Sequence, residues 1–266
     1  MIQMKSNWSL ADFLSTLEKL EIRSGDTIFI HSNLGMLGLP EKKDNYDKLL
    51  KYLINYIGSS GSIILPAFTY SFGKKEIFNL DSSLGLKERG HLSLKAYEFG
   101  FDRTNDPMFS LLIKGPISSK IQMINGNRSF GPNSVFSFLV DENIRILNIC
   151  TGAGSTLLHE LEFRLRVPYR YEKTFNGWAY SGEKRVNTLL NWQSYVRDLD
   201  DIDSQADFTL LTSIVKHLDF YKEVKLGKGL ISSYKIQEMF RFIKKEIISN
   251  PDLLTKKESD VHSRTK

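Results

Sequence analysis

The chain reads as an α/β protein, with a central mixed sheet flanked by helices and a smaller C-terminal β-containing region. Three observations carry that reading. Short apolar runs of strand length (Thr27-Ile28-Phe29-Ile30, Ser62-Ile63-Ile64-Leu65 and Ile144 to Cys150) end in loops of small and polar residues. Between them lie segments whose apolar residues recur at helical spacing. The alternation of the two is the β-α-β rhythm of a sheet covered by helices.

The elements follow in order. Ser9 to Leu20 carries Leu10, Phe13, Leu14, Leu17 and Leu20 on one helical face, with Ser9 as the cap. After the Gly25-Asp26 turn and the first strand comes His31-Ser32-Asn33-Leu34-Gly35, a loop whose backbone N–H groups are placed to meet a ligand. It is not a P-loop, because no Gly-Lys-Ser/Thr follows. Asn45 to Ile57 is a second amphipathic helix. The second strand ends in Pro66-Ala67-Phe68-Thr69-Tyr70-Ser71-Phe72, again polar and aromatic. From Gly73 to Gly100 the chain is loop-like, with one helix near Ser93 to Glu98, as befits a site wall or lid. Arg103-Thr104 then precedes Pro107, Ser110 and the strand Leu111-Leu112-Ile113. Arg103 is a rigid cationic fork that suits a phosphate, a carboxylate or a structural ion pair equally.

Beyond Ile144 to Cys150, Val167 to Phe175 reads as an extended edge strand, since Pro168 bars it from a sheet interior. Lys184 to Val196 alternates as β, and Phe208 to Leu218 is a helix. Tyr221 to Leu226 and Gly229 to Tyr234 make a hairpin about Gly227-Lys228-Gly229, and Lys235 to Ile248 is a final amphipathic helix. The expected organisation is a main region over 1–183, a C-terminal region over 184–255 packed on the same domain, and a flexible tail over 256–266.

Composition excludes several classes. Of 266 residues, 41% are apolar and 25% charged, ordinary globular values that allow a substantial core. The single cysteine, Cys150, sits in a predicted strand and rules out a disulfide scaffold. Met1 to Trp8 has no apolar signal core and no later run is long enough to span a bilayer, so the expectation is a cytoplasmic protein that uses no membrane. The net charge of +5 argues for an anionic ligand rather than a polycationic one. The acidic loop Asp198 to Asp203 lacks the glycine and distal glutamate of a calcium loop. The histidines lack the helix-borne spacing of a zinc motif, so no metal is expected. No helix-turn-helix, zinc-finger or RNP-like signature supports nucleic-acid binding.

The most informative stretch is Ser155-Thr156-Leu157-Leu158-His159-Glu160-Leu161-Glu162. It follows the strand Ile144 to Cys150 through the small-residue turn Thr151-Gly152-Ala153-Gly154, and Ser155 or Thr156 is placed to cap the helix. His159 therefore stands in the first turns of a helix at the carboxyl end of a strand, the edge where open α/β sheets bind ligands. Glu162 is three residues on and shares its face. A carboxylate there fixes the imidazole tautomer and favours its protonated form, as a general base requires. Taken alone, the pair also describes an ordinary His and Glu on a solvated helix face.

Several segments in order raise the odds. Gly25-Asp26 with His31-Ser32, Pro66 with Phe68-Thr69-Tyr70-Ser71-Phe72, Arg103-Thr104 with Pro107 and Ser110, Phe130-Gly131 with Ser134, and Leu158-His159 with Glu162 and Pro168-Tyr169-Arg170 together resemble the aminoglycoside 3-N-acetyltransferase family. The resemblance covers about residues 8–180 well. It implies an α/β fold distinct from the GNAT acetyltransferases and a coenzyme A thioester, acetyl-CoA or a longer acyl-CoA, as co-substrate. It further implies His159 as the base and Glu162 as its partner. The loops carrying Ser32, Asn33, Leu34, Gly35, Pro66, Phe68, Thr69, Arg103, Thr104 and Ser110 would hold the acyl-CoA. Ser32, Thr69 or a loop N–H would meet the oxyanion. His31 is read as structural.

The implied partners are acyl-CoA and an amino-sugar acceptor, with room for a homodimer. The basic balance and the group Arg164, Arg166, Arg170 and Lys173 favour a nucleotide-linked amino sugar. The expected acceptor is therefore a nucleotide-linked amino sugar, with an aminoglycoside as the alternative that the acidic loop at Asp198 to Asp203 would suit. Phe68, Tyr70, Phe72 and Phe109 would either line a pocket for a longer acyl chain or pack in the core.

Overall fold

Each apolar run becomes a strand, and each helical-period segment lies on one face of the resulting sheet. The computed structural model describes residues 7–69, 71–80, 90–181 and 186–257; Tyr70, the division at 183/184 and the tail beyond 257 lie outside them. The strands are β1 (Thr27–Ser32), β2 (Ser62–Pro66), β3 (Phe78–Asn79), β4 (Asp102–Arg103), β5 (Leu111–Lys114) and β6 (Arg145–Ile149). They continue with β7 (Arg170–Ser181), β8 (Val186–Arg197), β9 (Lys222–Leu226) and β10 (Gly229–Lys235). The helices are α1 (Leu10–Lys19), α2 (Asn45–Ile57), α3 (His91–Glu98), α4 (Ile117–Gln122), α5 (Val135–Asp141), α6 (Leu158–Leu165), α7 (Thr209–Val215) and α8 (Ile236–Ser249).

The main sheet has seven strands in the order β4-β5-β2-β1-β6-β10-β9. β1 runs parallel to both β2 and β6, while β5 and β10 are antiparallel to their neighbours, so the sheet is mixed. The period of two along each strand divides the core into layers. Phe29, Ile64, Leu111, Ile113 and Ile146 pack with α4, α5, α6 and α8 through Ile117, Phe136, Leu158 and Met239. Their neighbours Ile28, Ile30, Ile63, Leu65, Leu112 and Leu147 pack with α1, α2 and α3 through Phe13, Leu49, Leu53 and Leu92. Ser9 caps α1 in a reciprocal box with Asp12.

A smaller sheet of order β3-β7-β8 stands beside the main one. β7 and β8 form one long hairpin, so a division at 183/184 passes between its two strands. β10 then pairs with β6 inside the main sheet, and residues 222–235 complete that sheet rather than a separate unit. Pro168 precedes β7 instead of lying within it, and so removes no ladder hydrogen bond. From Arg170 to Phe175 the strand pairs with β8; β3 joins only at Ala179 and Tyr180.

The topology places the site. β1 leads across to β2 on one side while β6 lies on its other side, so strand order reverses between β1 and β6. The crevice beyond the carboxyl ends of two parallel strands at such a reversal is where α/β sheets bind ligands. The loops that leave it are 33–37 after β1 and 150–157 after β6.

Candidate active site

β6 ends sharply. Cys150 takes a left-handed conformation with φ 58°, and the chain turns through Thr151-Gly152-Ala153-Gly154. That turn is pinned from several elements. Asn148 and Ser232 donate to the Gly152 carbonyl at 2.7 and 3.0 Å, Tyr234 donates to the Ala153 carbonyl at 2.7 Å, and the Ala153 N–H donates to Thr212 at 2.9 Å. A loop so held delivers α6 in one direction.

The start of α6 differs from the expected cap. α6 begins at Leu158, and neither Ser155 nor Thr156 caps it with a side chain. Instead the Thr156 N–H donates to His31 Nε2 at 3.2 Å, and Ser155 Oγ lies 3.3 Å from the same nitrogen. The Ser155 hydroxyl also accepts from the Leu157 N–H at 3.3 Å, so it and the His31 imidazole together hold the turn that leads into α6. Burial and the neighbouring His159 hold His31 down to about 4, so it stays neutral, with Nε2 accepting and the proton on Nδ1.

His159 follows one turn later. Its side chain is 16% exposed, and its Nδ1 lies 2.5 Å from Oε2 of Glu162, which is fully buried. The Phe130 ring meets the imidazole edge-on at 5.7 Å between centroids, and Phe208 lies at 6.5 Å. Glu162 has further partners: Arg170 Nε lies 2.8 Å from Oε2, and the Tyr169 hydroxyl donates to Oε1 at 3.0 Å. Burial alone would raise the Glu162 carboxyl, but His159, Arg170 and the Tyr169 hydroxyl together hold it below its usual value. For His159, burial and Arg170 outweigh the pull of Glu162, and the imidazole is held below its ordinary 6.5. The carboxylate by itself would raise it. With Nδ1 tied to Glu162, Nε2 is the nitrogen left to take a proton.

The remaining expected residues divide into two groups. Ser32, Asn33, Leu34 and Gly35 lie together at the carboxyl end of β1, in a loop that closes as a single 3-10 turn over Leu34–Leu37. Pro66 closes β2, and Phe68 is buried beside Phe109 at 5.3 Å. The side chains of Thr69, Arg103, Thr104 and Ser110 are committed within the fold. Thr69 donates to the Pro107 carbonyl at 2.9 Å, and Thr104 accepts from the Leu111 N–H at 2.9 Å. Ser110 donates to the Ala67 carbonyl at 2.7 Å. The Arg103 guanidinium reaches the carbonyls of Leu80 and Ala67 at 2.7 and 3.1 Å and the Ser110 hydroxyl at 3.1 Å from Nε. These four groups frame the loops around the crevice instead of offering free donors to a phosphate, and Thr69 drops out as an oxyanion donor. Arg103→Lys should therefore cost about 1–3 kcal/mol of stability, since a single ammonium cannot serve carbonyls of two loops. Urea unfolding checks this; an unchanged midpoint with only a raised KM for acetyl-CoA would return Arg103 to phosphate binding.

Three of the four basic residues in and after α6 are ion-paired, while Lys173 lies over the Phe175 ring. Arg164 pairs with Glu160 and Asp141 at 2.8 and 2.9 Å, Arg166 with Glu172 at 3.1 Å, and Arg170 with Glu162. Phe72 is buried against Phe78, Met108 and Trp192, and Phe109 packs between Phe68 and Phe130. These aromatics fill the core; Tyr70 lies outside the described residues.

Two hollows are lined by residues that neighbour Phe130 and Phe208 in the chain, and His159 itself lines neither. From Phe130 the backbone runs back to Arg128 and Asn127, which line a cleft of about 640 Å³ with Asn105, Gln122, Asn125 and Asn191 among its walls. From Phe208 it runs back to Ser204, Asp203 and Asp201, which line a depression of about 330 Å³ with Asp252, Lys257 and Tyr169. Sequence reasoning gave no contact for Tyr169 or Arg170, whose partner Glu162 lies on α6, and read His31 as structural without its partners Ser155 and Thr156. Among the described residues, no helix is long and apolar enough to cross a membrane.

A His–Glu pair on the helix that follows β6, beside a strand reversal, is an arrangement fit for general-base chemistry. The sequence profile of the aminoglycoside 3-N-acetyltransferase family matches residues 98–247, more than half of the chain, and the chain belongs to that family. It is an acyl-CoA-dependent N-acyltransferase acting on amines of amino sugars. No curated protein sequence matches it significantly. Among solved structures it is similar to aminoglycoside acetyltransferase AAC(3)-Xa, with 16% identity over 90% of this chain and 92% of that one and a TM-score of 0.75. It is also similar to AAC-VIa bound to sisomicin, with 18% identity over 89% and 96% and a TM-score of 0.70. The YokD protein from Bacillus subtilis matches with 18% identity over 91% and 99% and a TM-score of 0.71. At such identities the likeness speaks to the fold.

Proposed function

We propose that this chain transfers an acetyl group from acetyl-CoA to an amine of a cationic, aminoglycoside-type amino sugar, with His159 as general base and Glu162 orienting it. The observation that carries the reading is the partly exposed imidazole bound through Nδ1 to a buried carboxylate, at the reversal point of the sheet. An ammonium is not a nucleophile, so a neutral base must take its proton before the nitrogen attacks a thioester. Water takes that first proton, and His159 Nε2 removes a second proton from the amine nitrogen as the carbon–nitrogen bond forms and the carbon–sulfur bond breaks. The imidazolium then returns a proton to the departing thiolate, so the base is regenerated and the acetamide and free thiol leave. Ser32 and the N–H groups of Leu34 and Gly35 are the donors we assign to the pantetheine arm and the oxyanion, because the first N–H groups of a helical turn have no intrahelical acceptor, whereas the Asn33 N–H is already given to the Ile149 carbonyl at 2.8 Å. Pro66 and Phe68 wall that side. The core packing of Phe68, Phe72 and Phe109 favours the short acetyl group over a long acyl chain.

The acceptor follows from charge. The ion-paired state of Arg164, Arg166 and Arg170 withdraws the main argument for a nucleotide diphosphate. Asp201 and Asp203 near Tyr169 favour a cationic ligand, Asp252 in the same hollow being paired with Lys257. One observation keeps the nucleotide-linked amino sugar as a second reading: the larger cleft is lined by amides suited to hydroxyls or a nucleobase. A thiol-release assay with acetyl-CoA decides between them. Aminoglycosides should release thiol and become acetylated at one amine, and nucleotide-linked amino sugars should turn over far more slowly. Turnover of neither class would overturn the proposal.

A further inference from the structure

We infer that Arg170 and Tyr169 are positioning residues for His159, clamping the Glu162 carboxylate so that the imidazole is presented as a neutral, correctly oriented base. This rests on the reading of His159 and Glu162 given above.

A carboxylate with 0% exposure is costly to bury unless every side is paired. Glu162 meets that demand with three groups on two oxygens. Oε2 meets His159 Nδ1 at 2.5 Å and lies 2.8 Å from Arg170 Nε, an ion-pair contact without hydrogen-bond alignment; Oε1 takes the Tyr169 hydroxyl at 3.0 Å. Two of the three come from consecutive residues at the entry to β7. That entry is itself tethered, since the Tyr195 hydroxyl of β8 donates to the Val167 carbonyl at 2.9 Å. With both oxygens held, the carboxylate cannot rotate, and the imidazole it grips cannot swing. The Arg170 side chain is only 7% exposed, so it acts through Glu162 and does not reach a ligand.

The clamp also sets charge. With His159 neutral, Glu162 and Arg170 cancel, and the buried group is uncharged overall. Proton capture by His159 leaves it with a net positive charge in an apolar surround. Glu162 favours that capture; burial and Arg170 oppose it, in that order. The sign is therefore opposite to that of an isolated His–carboxylate pair. Other ionisable groups face the cluster from separate elements. His31 comes from β1 and is neutral, Tyr195 comes from β8, and Asp252, ion-paired to Lys257, lies beyond Tyr169 in the segment after α8. Phe130 and Phe208 supply the apolar walls. Arg170 is thus the cation in direct contact with the carboxylate that His159 uses.

The test reads the ring itself. NMR titration of the His159 imidazole in the whole chain, assigned by its loss in His159→Asn, needs no turnover. In the wild type the ring should titrate below 6.5 with the proton on Nδ1. Arg170→Met should raise the midpoint of the His–Glu pair by about one unit or more, the scale of an opposite charge at contact distance. Arg170→Lys should restore most of it. The acid limb of kcat/KM should move upward in parallel. Tyr169→Phe should lower kcat several-fold, leave KM for acetyl-CoA unchanged, and move the midpoint less. A folded Arg170→Met protein with an unmoved midpoint overturns the inference. If that variant does not fold, a wild-type midpoint at or above 6.5 overturns it instead. A His159→Asn enzyme of wild-type rate would overturn the base assignment alone, and the ring titration would still decide on Arg170.

Discussion

His159→Asn should lower kcat/KM for acetyl transfer by about 10²–10⁴-fold while the protein keeps its fold, the range expected for loss of a general base. On the transition-state scale that is about 3–5 kcal/mol of lost stabilisation. Asparagine is the sharp choice because its side-chain amide can donate to Glu162 in place of Nδ1. The buried carboxylate then keeps a partner, and the cost of an orphaned acceptor does not enter. What is lost is the nitrogen that takes the proton. The residual rate would come from holding amine and thioester together. Steady-state kinetics at a pH above the acid limb, with equal urea midpoints, checks this. A variant within a few-fold of wild type would remove His159 from the mechanism, and His31 could not replace it, because its Nε2 is occupied by the Thr156 N–H and Ser155.

Phe130→Ala should destabilise the protein by about 3–5 kcal/mol, the usual cost of emptying a buried aromatic site. Phe130 is 2% exposed and packs within 5.0 Å of Phe109, 4.9 Å of Phe136 and 5.7 Å of His159, centroid to centroid. Its loss opens a void directly against the imidazole. The stability loss should therefore come with a fall in kcat. The next residue sharpens the point. Gly131 has φ 95°, a Cβ there would stand 2.5 Å from the Phe163 ring, and its N–H donates to Glu160 at 2.6 Å. The loop is thus fixed on both sides of its chain, and little relaxation is available to fill the void. Phe130→Leu should recover most of the stability and only part of the rate. Urea unfolding and kcat measured on the same preparations test both halves; a destabilised Phe130→Ala enzyme with wild-type kcat would show that the ring does not position His159.

Local features were legible in the sequence because their causes are local. The helix Asn45–Ile57 is set by its own apolar spacing, and α1 by its own Ser9–Asp12 box. Apolar runs announced β1, β2 and β6. The short helix Ile117–Gln122 gave no comparable signal, since one and a half turns carry too few apolar positions to show a period. Arg103 was legible as a cation fit for an anion or a structural partner, but the carbonyls of Ala67 and Leu80 that occupy it lie 36 and 23 residues away.

Taken alone, the amino-acid sequence determined the α/β class, the order of the longer strands and helices, and the neighbourhood of His159 and Glu162, because spacing along a helix fixes which side chains share a face. Tertiary structure alone decided that β10 completes the main sheet, that His31 holds the start of α6, and that Arg170 and Tyr169 close on Glu162. The reason is physical. The charge state of a buried imidazole is a sum over burial and every nearby charge, and those charges arrive on strands far apart in the chain that only the folded topology brings together.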